Sequence, residues 1–130
     1  MKRVFVSYAQ DDSNAAQELR AILRDAEVSG WMDEADIASG GAISDKVREA
    51  IRAASAVIVL ISARSVHSQW VQFEVGAALA TGKRIIPILI GDSTVGEDLP
   101  DWLQQMVYID ARKRSMADVA YEVEHAVSAA

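Results

Sequence analysis

Glu74 and Trp70 are the residues of this sequence best suited to chemistry. They stand four apart in Ser68-Gln69-Trp70-Val71-Gln72-Phe73-Glu74, so on a helix they share one face. The run follows a solid apolar stretch, Ala56-Val57-Ile58-Val59-Leu60-Ile61, which reads as a buried strand. Open α/β sheets put their ligands just past the carboxyl ends of such strands. A desolvated carboxylate there holds growing positive charge, and an indole stacks on an aromatic base and keeps bulk water out. Outside such a context, a glutamate of this kind would be a solvated helix residue and the tryptophan an ordinary core aromatic.

The elements that must position this pair follow from periodicity. Val4-Phe5-Val6 opens as a strand and stops at Ser7-Tyr8. Asp11, Asp12 and Ser13 offer N-caps, with the two aspartates read as caps rather than metal ligands. Ala16, Leu19, Ile22, Leu23 and Ala26 then recur at helical spacing. A short strand is expected around Val28 to Met32, interrupted by Gly30. Asp33 to Gly41 has no periodicity and reads as a loop, after which Ile43, Val47 and Ile51 form one helix stripe. Residues 56–61 show no polar alternation, so both faces of that strand should be covered. A helix from about Trp70 to Ala80 ends at Gly82, a fitting C-cap. Ile85 to Ile90 reads as a buried strand despite Pro87, Leu99 to Gln105 as a short helix, Val107-Tyr108-Ile109 as a fifth strand and Met116 to Val127 as the last helix. Trp102 is placed as a lid over the fourth-strand edge of the cleft, with ordinary packing as the alternative. Alternating strands and helices argue for an α/β, flavodoxin-like, three-layer fold. Its central five-stranded parallel sheet has order 2-1-3-4-5, with helices on both faces.

Bulk composition narrows the function. Residues 1–130 are one domain's worth of chain, with 51% hydrophobic and 25% charged residues and no low-complexity tract. Thirteen basic against nineteen acidic residues leave a net charge of −6, and the basic residues are scattered. Nucleic acid and anionic membrane surfaces are therefore not expected partners. There is no cysteine, and the two histidines, His67 and His125, have no companions at metal spacing, so no metal site is expected. With no signal peptide or transmembrane run, a cytoplasmic setting is expected.

With these elements placed, the chain resembles a Toll/interleukin-1 receptor (TIR) domain, particularly the bacterial kind, over nearly its whole length. Val4-Phe5-Val6-Ser7-Tyr8 is similar to the family's first motif. Trp31-Met32-Asp33 followed by Gly40 resembles the start of its long BB loop. Ser62, then Ser68-x-Trp70-x-x-x-Glu74, resembles the segment that holds the glutamate essential to NAD-cleaving members. Ala77 to Ile88 resembles the family's helix-Gly-Lys-strand junction. Four such motifs in order are a far more specific signal than any one alone.

The resemblance implies an NAD+ nucleosidase that cleaves the nicotinamide–ribose bond, giving nicotinamide and either ADP-ribose or a cyclic ADP-ribose isomer. It implies Glu74 as the catalytic residue and Tyr8, Trp31, Asp33 and Trp70 around the nucleotide, with Ser7 and Ser62 as further candidates. Ala9 and Gln10 stand where some animal members carry basic residues, so backbone N–H groups near Gly40 and Gly41 are the expected cradle for the pyrophosphate. NAD+ is expected as substrate, with no bound cofactor. Self-association through residues 33–41 and neighbouring surfaces is implied, as is a fused or separate sensor domain, residues 1–130 being one TIR domain that fits the N-terminal part of a longer multidomain protein. A role in bacterial antiphage defence fits the same resemblance. The rival reading is a non-catalytic interaction module. A phosphoacceptor receiver domain shares the fold but needs an Asp at the end of the third strand, where Leu60-Ile61-Ser62 has none.

Overall fold

The computed structural model describes residues 2–8, 12–31, 45–62, 82–91, 108–112 and 114–128, with side chains left aside at 31, 45–48 and 128. Its elements are β1 (Lys2–Ser7), α1 (Ser13–Asp25), β2 (Val28–Trp31), α2 (Asp45–Ala53), β3 (Ala56–Ile61), β4 (Arg84–Leu89), β5 (Ile109–Asp110) and α3 (Met116–Ser128). The five strands form one sheet in the order β2-β1-β3-β4-β5, and every pair is parallel. This is the expected flavodoxin-like order. The expected BB loop at 33–41, the segment carrying Ser68, Trp70 and Glu74, and the helix and lid around Trp102 lie outside the described residues.

Side-chain alternation assigns the two faces of the sheet. Val4, Val6, Ala56, Ile58, Leu60, Ile86 and Ile88 point to one face, where Ala16, Leu19 and Leu23 of α1 and Val119, Val123 and Val127 of α3 join them in a single buried cluster. Phe5, Val57, Val59, Ile61 and Leu89 point the other way and are equally buried. On that side α2 packs against β1, with Ile51 fully covered. Every residue of β3 is buried, as the unbroken apolar run requires.

Three strands differ from expectation in instructive ways. β1 starts at Lys2, two residues earlier, because backbone pairing of Lys2 with Val28 and Arg3 with Ser29 continues past the apolar pattern. Gly30 does not interrupt β2; it pairs with Val4, and a Cβ there would lie 3.4 Å from Arg20 Cγ. The missing side chain lets the stem of Arg20 lie across the strand. Among the described residues β5 is Ile109–Asp110, which pair with Ile88 and Leu89, whereas Tyr108, expected in the strand, precedes it and is exposed. Pro87 sits within β4 at a point where β3 is its hydrogen-bonding neighbour and β5 has not yet joined. That is where a strand tolerates a residue without an N–H.

The helix ends are held by distinct devices. Ser115 Oγ accepts from Asp118 N at the start of α3 (3.2 Å), an ordinary N-cap. Lys83 Nζ donates to the carbonyls of Arg52 (2.7 Å) and Ala54 (2.9 Å) at the end of α2, as a cation at a helix C-terminus should. α1 ends with Ala26 N donating to Leu23 O and Glu27 N to Arg24 O, and Glu27 adopts a left-handed φ of 62°. Glycine takes that conformation without the Cβ penalty. Glu27→Gly is therefore expected to raise stability by about 0.5–1 kcal/mol, the relief of strain outweighing the added unfolded-state entropy. Chemical denaturation would show it as a higher midpoint.

Candidate functional site

Because all five strands run the same way, their carboxyl ends share one edge of the sheet. β1 is followed by β2 on one side and β3 lies on the other, so the chain changes direction between β1 and β3. In open parallel sheets, the crevice at this switch point is where ligands bind. The residues that emerge there are Ser7 and Tyr8 from β1, Ser62 from β3 and, one strand out on either side, Trp31 from β2 and Gly91 after β4.

The floor of this edge is polar in an otherwise apolar layer. Ser7 and Ser62 are the buried polar residues among those described, at 0% and 6% exposure. Tyr8 is 1% exposed and belongs to the core cluster shared with α1 and α3. Its ring therefore supports the edge from below. β3 runs on after β1 has ended, since Ser7 is level with Val59. Ser62 thus projects beyond the last residue of β1.

Asp12 meets Ser62 there. It occupies the N-cap position of α1, as the sequence predicts, yet its side chain makes no capping hydrogen bond. Instead its Oδ2 accepts from Ser62 Oγ at 2.6 Å, across a separation of 50 residues. The distance is short, as expected when a hydroxyl donates to a carboxylate. This corrects the reading of Asp12 as a helix cap: the position is right and the bond is not. The main chain of β4 passes close by. Ile90 N donates to Ile61 O at 2.8 Å, and at Gly91, with φ of 84°, an added Cβ would lie 3.9 Å from Ser62 Cβ. Ser62 is thus the point where the chain segments leaving β1, β3 and β4 converge.

A second charged group sits further along the same edge. Arg112 Nε and Nη2 donate to Asp110 Oδ1 (2.9 Å) and Oδ2 (2.7 Å), and Arg112 N also donates to Oδ1 at 3.2 Å. Donating these hydrogen bonds to the Asp110 carboxylate raises the guanidinium above its ordinary pKa, so Arg112 is a permanent cation. Sequence reasoning singled out neither residue. Their spacing of two, Asp-x-Arg at the end of a two-residue strand, carries no signal of its own.

Of the site residues expected from sequence, the structure brings Ser7, Tyr8 and Ser62 to the switch point and ends β2 at Trp31. Asp33, Gly40, Gly41, Trp70 and Glu74 lie outside the described residues. Ser62 is the last described residue before the segment that carries Trp70 and Glu74.

Residues 4–125 match the family model described as a TIR domain. The chain belongs to the TIR family. A stimulator of interferon genes protein from Magallana gigas is 32% identical over 114 residues, covering 82% of this chain and 27% of that protein. The TIR domain described here thus spans about a quarter of that curated relative. A metazoan TIR-STING receptor from C. gigas, solved in complex with 2′,3′-cGAMP, superposes with a TM-score of 0.74 at 26% identity, over 96% of this chain and 39% of that one. A CMP N-glycosidase from Clostridium botulinum, BcmB, superposes with a TM-score of 0.63 at 18% identity, over 96% and 99% of the two chains; at that identity the likeness is one of fold. Among the described residues, no helix of this TIR domain is long and apolar enough to cross a membrane.

Proposed function

We propose that this TIR domain cleaves the bond between nicotinamide and ribose in NAD+, once two or more copies have assembled, with Glu74 as the catalytic carboxylate. The observation that carries the reading is the buried polar floor at the β1/β3 switch point, formed by Ser7 and Ser62, from which the segment bearing Trp70 and Glu74 departs. The same fold serves N-glycosidic chemistry in the clostridial relative, whose name describes an N-glycosidase. The family motif around Glu74 supports the same chemistry.

One carboxylate suffices for this reaction. Most glycosidases need a second carboxyl group to protonate the leaving oxygen. Nicotinamide in NAD+ already carries positive charge and departs as a neutral base, so no proton need be supplied. As the bond stretches, positive charge grows on the ribose, and a fixed carboxylate in a water-poor cleft stabilises it. Trp70 and Trp31 offer aromatic faces for a base, and Asp33, Gly40 and Gly41 complete the nucleotide site. The sugar cation is then captured by water, which gives ADP-ribose and a proton, or by an atom of the same nucleotide, which gives a cyclic product. Self-association through residues 33–41, a companion sensor domain, a cytoplasmic setting and a role in antiphage defence belong to this proposal.

The test is to incubate NAD+ with concentrated protein and separate the products by chromatography and mass. Nicotinamide is expected together with ADP-ribose or with a cyclic product lighter than ADP-ribose by one water. A site completed by a second copy also predicts a specific activity that rises about tenfold for each tenfold increase in protein, at concentrations well below the assembly constant. Oligomers that form without releasing nicotinamide would instead identify a pure interaction module.

A further inference from the structure

We propose that Asp12 is a positioning residue, and that its bond to Ser62 is a clasp fixing the departure point of the segment that carries Trp70 and Glu74. The inference rests on the NAD-cleaving reading and adds to it a residue that the TIR motif around Glu74 does not contain.

Three observations converge. First, Asp12 stands where an aspartate would ordinarily cap its own helix, and does not do so. The contrast with α3 is direct, because Ser115 at the same position there does bond its helix. An N-cap bond is an easily formed local contact, so a carboxylate turned away from it has been committed elsewhere by the tertiary structure. Second, its partner Ser62 is 6% exposed and lies 50 residues away, at the end of the central strand. The bond therefore ties the root of α1 to the end of β3 across the switch point. Third, Gly91 closes on Ser62 from the β4 side without a side chain of its own. A side chain at 91 would have to adopt a φ that favours glycine. Ser62 is thus tied to the start of α1 on one side and flanked by Gly91 on the other.

A fixed starting point matters because electrostatic stabilisation falls away quickly with misplacement. A group a full ångström from its productive position loses up to about 10²-fold in rate. Without the clasp, Ser62 keeps its place just past the end of β3 but loses its tie to the start of α1. Substrate binding, spread over several loops, changes less than the rate of the chemical step.

The experiment is a double-mutant cycle on the full chain with Asp12→Ala, Ser62→Ala and the pair, read as kcat and KM for NAD+ cleavage and as melting temperature. Asp12→Asn, Glu74→Gln and Val123→Ala are run beside it. Asp12→Ala and Ser62→Ala should each lower kcat about 10- to 30-fold while KM moves less than about threefold. The double variant should be no slower than the slower single one, since both remove one bond. Asp12→Asn should keep at least about a third of kcat, because its carboxamide oxygen accepts the same hydrogen bond. Val123→Ala, a core change on α3, should lower the melting temperature and leave kcat alone, separating positioning from general loss of stability.

Should Asp12→Ala and Ser62→Ala both keep wild-type kcat while Glu74→Gln is inactive, the clasp is refuted and the NAD-cleaving reading stands. Additive losses in kcat and in melting temperature would also refute it. Equal nicotinamide release by wild type and Glu74→Gln would remove the underlying reading, and the clasp with it. Ser62→Ala removes a single hydroxyl, so the rate comparison survives even if Asp12→Ala does not fold.

Discussion

Glu74→Gln should lower nicotinamide release from NAD+ by about 10²- to 10³-fold, with little change in KM. The substitution keeps the size and hydrogen-bonding reach of the side chain and removes only its charge. If the carboxylate works by holding positive charge that develops as nicotinamide leaves, the loss falls on the transition state and not on binding of the ground state. The expected factor corresponds to about 2.7–4 kcal/mol, the range measured when one preorganised electrostatic contact is removed from an active site. The measurement is a nicotinamide-release assay at saturating NAD+ and a protein concentration that supports assembly. A variant within tenfold of wild type would show that the charge at position 74 is not what drives the reaction.

Ile58→Ala should destabilise the domain by about 3 kcal/mol, within the 2–5 kcal/mol range for deletions of this size in a core. Ile58 is fully buried in the centre of β3. It lies level with Val6 of β1 on one side and Ile86 of β4 on the other. Both flanking strands are fixed by ladder hydrogen bonds, and α1 and α3 cover the face to which it points. The walls of the resulting cavity cannot close, so the cost of the empty space adds to the lost transfer free energy. Denaturant unfolding should give a lower midpoint with an unchanged slope. For a domain whose total stability is about 5–15 kcal/mol, this is the largest loss expected from a single deletion in the strand that supports the site. A change below about 1 kcal/mol would mean that the sheet relaxes around the gap, contrary to the packing described.

Periodicity and turn chemistry made most of the architecture legible. The unbroken apolar run at 56–61 required a strand covered on both sides, and β3 is that strand. Ala16, Leu19 and Leu23 at helical spacing are the buried face of α1. Gly82 has a positive φ, which glycine adopts without a Cβ penalty, while the helix it is expected to cap lies outside the described residues. The motifs at Val4 to Tyr8 and at Ser62 identified the two strands whose ends meet at the switch point. Elsewhere local patterns misled, and for identifiable reasons. Lys2 and Arg3 lack an apolar side chain yet belong to β1, because ladder bonds form between backbones whatever the side chains. Gly30 looked like an interruption, because a strand glycine usually weakens pairing; here it makes room for Arg20.

What the sequence determined by itself is therefore the kind of each described strand and helix, the order of the sheet and the family, since each depends on patterns a few residues long. The tertiary structure alone decided which of those residues meet. Asp12 and Ser62 were each visible as polar residues at the end of an element, but their bond spans 50 positions and leaves no trace in local spacing. An aspartate at an N-cap has two uses, and only the approach of β3 to the start of α1 selects between them. Side-chain type is written in the chain, whereas the partner of a side chain is set by the packing of strands and helices around it.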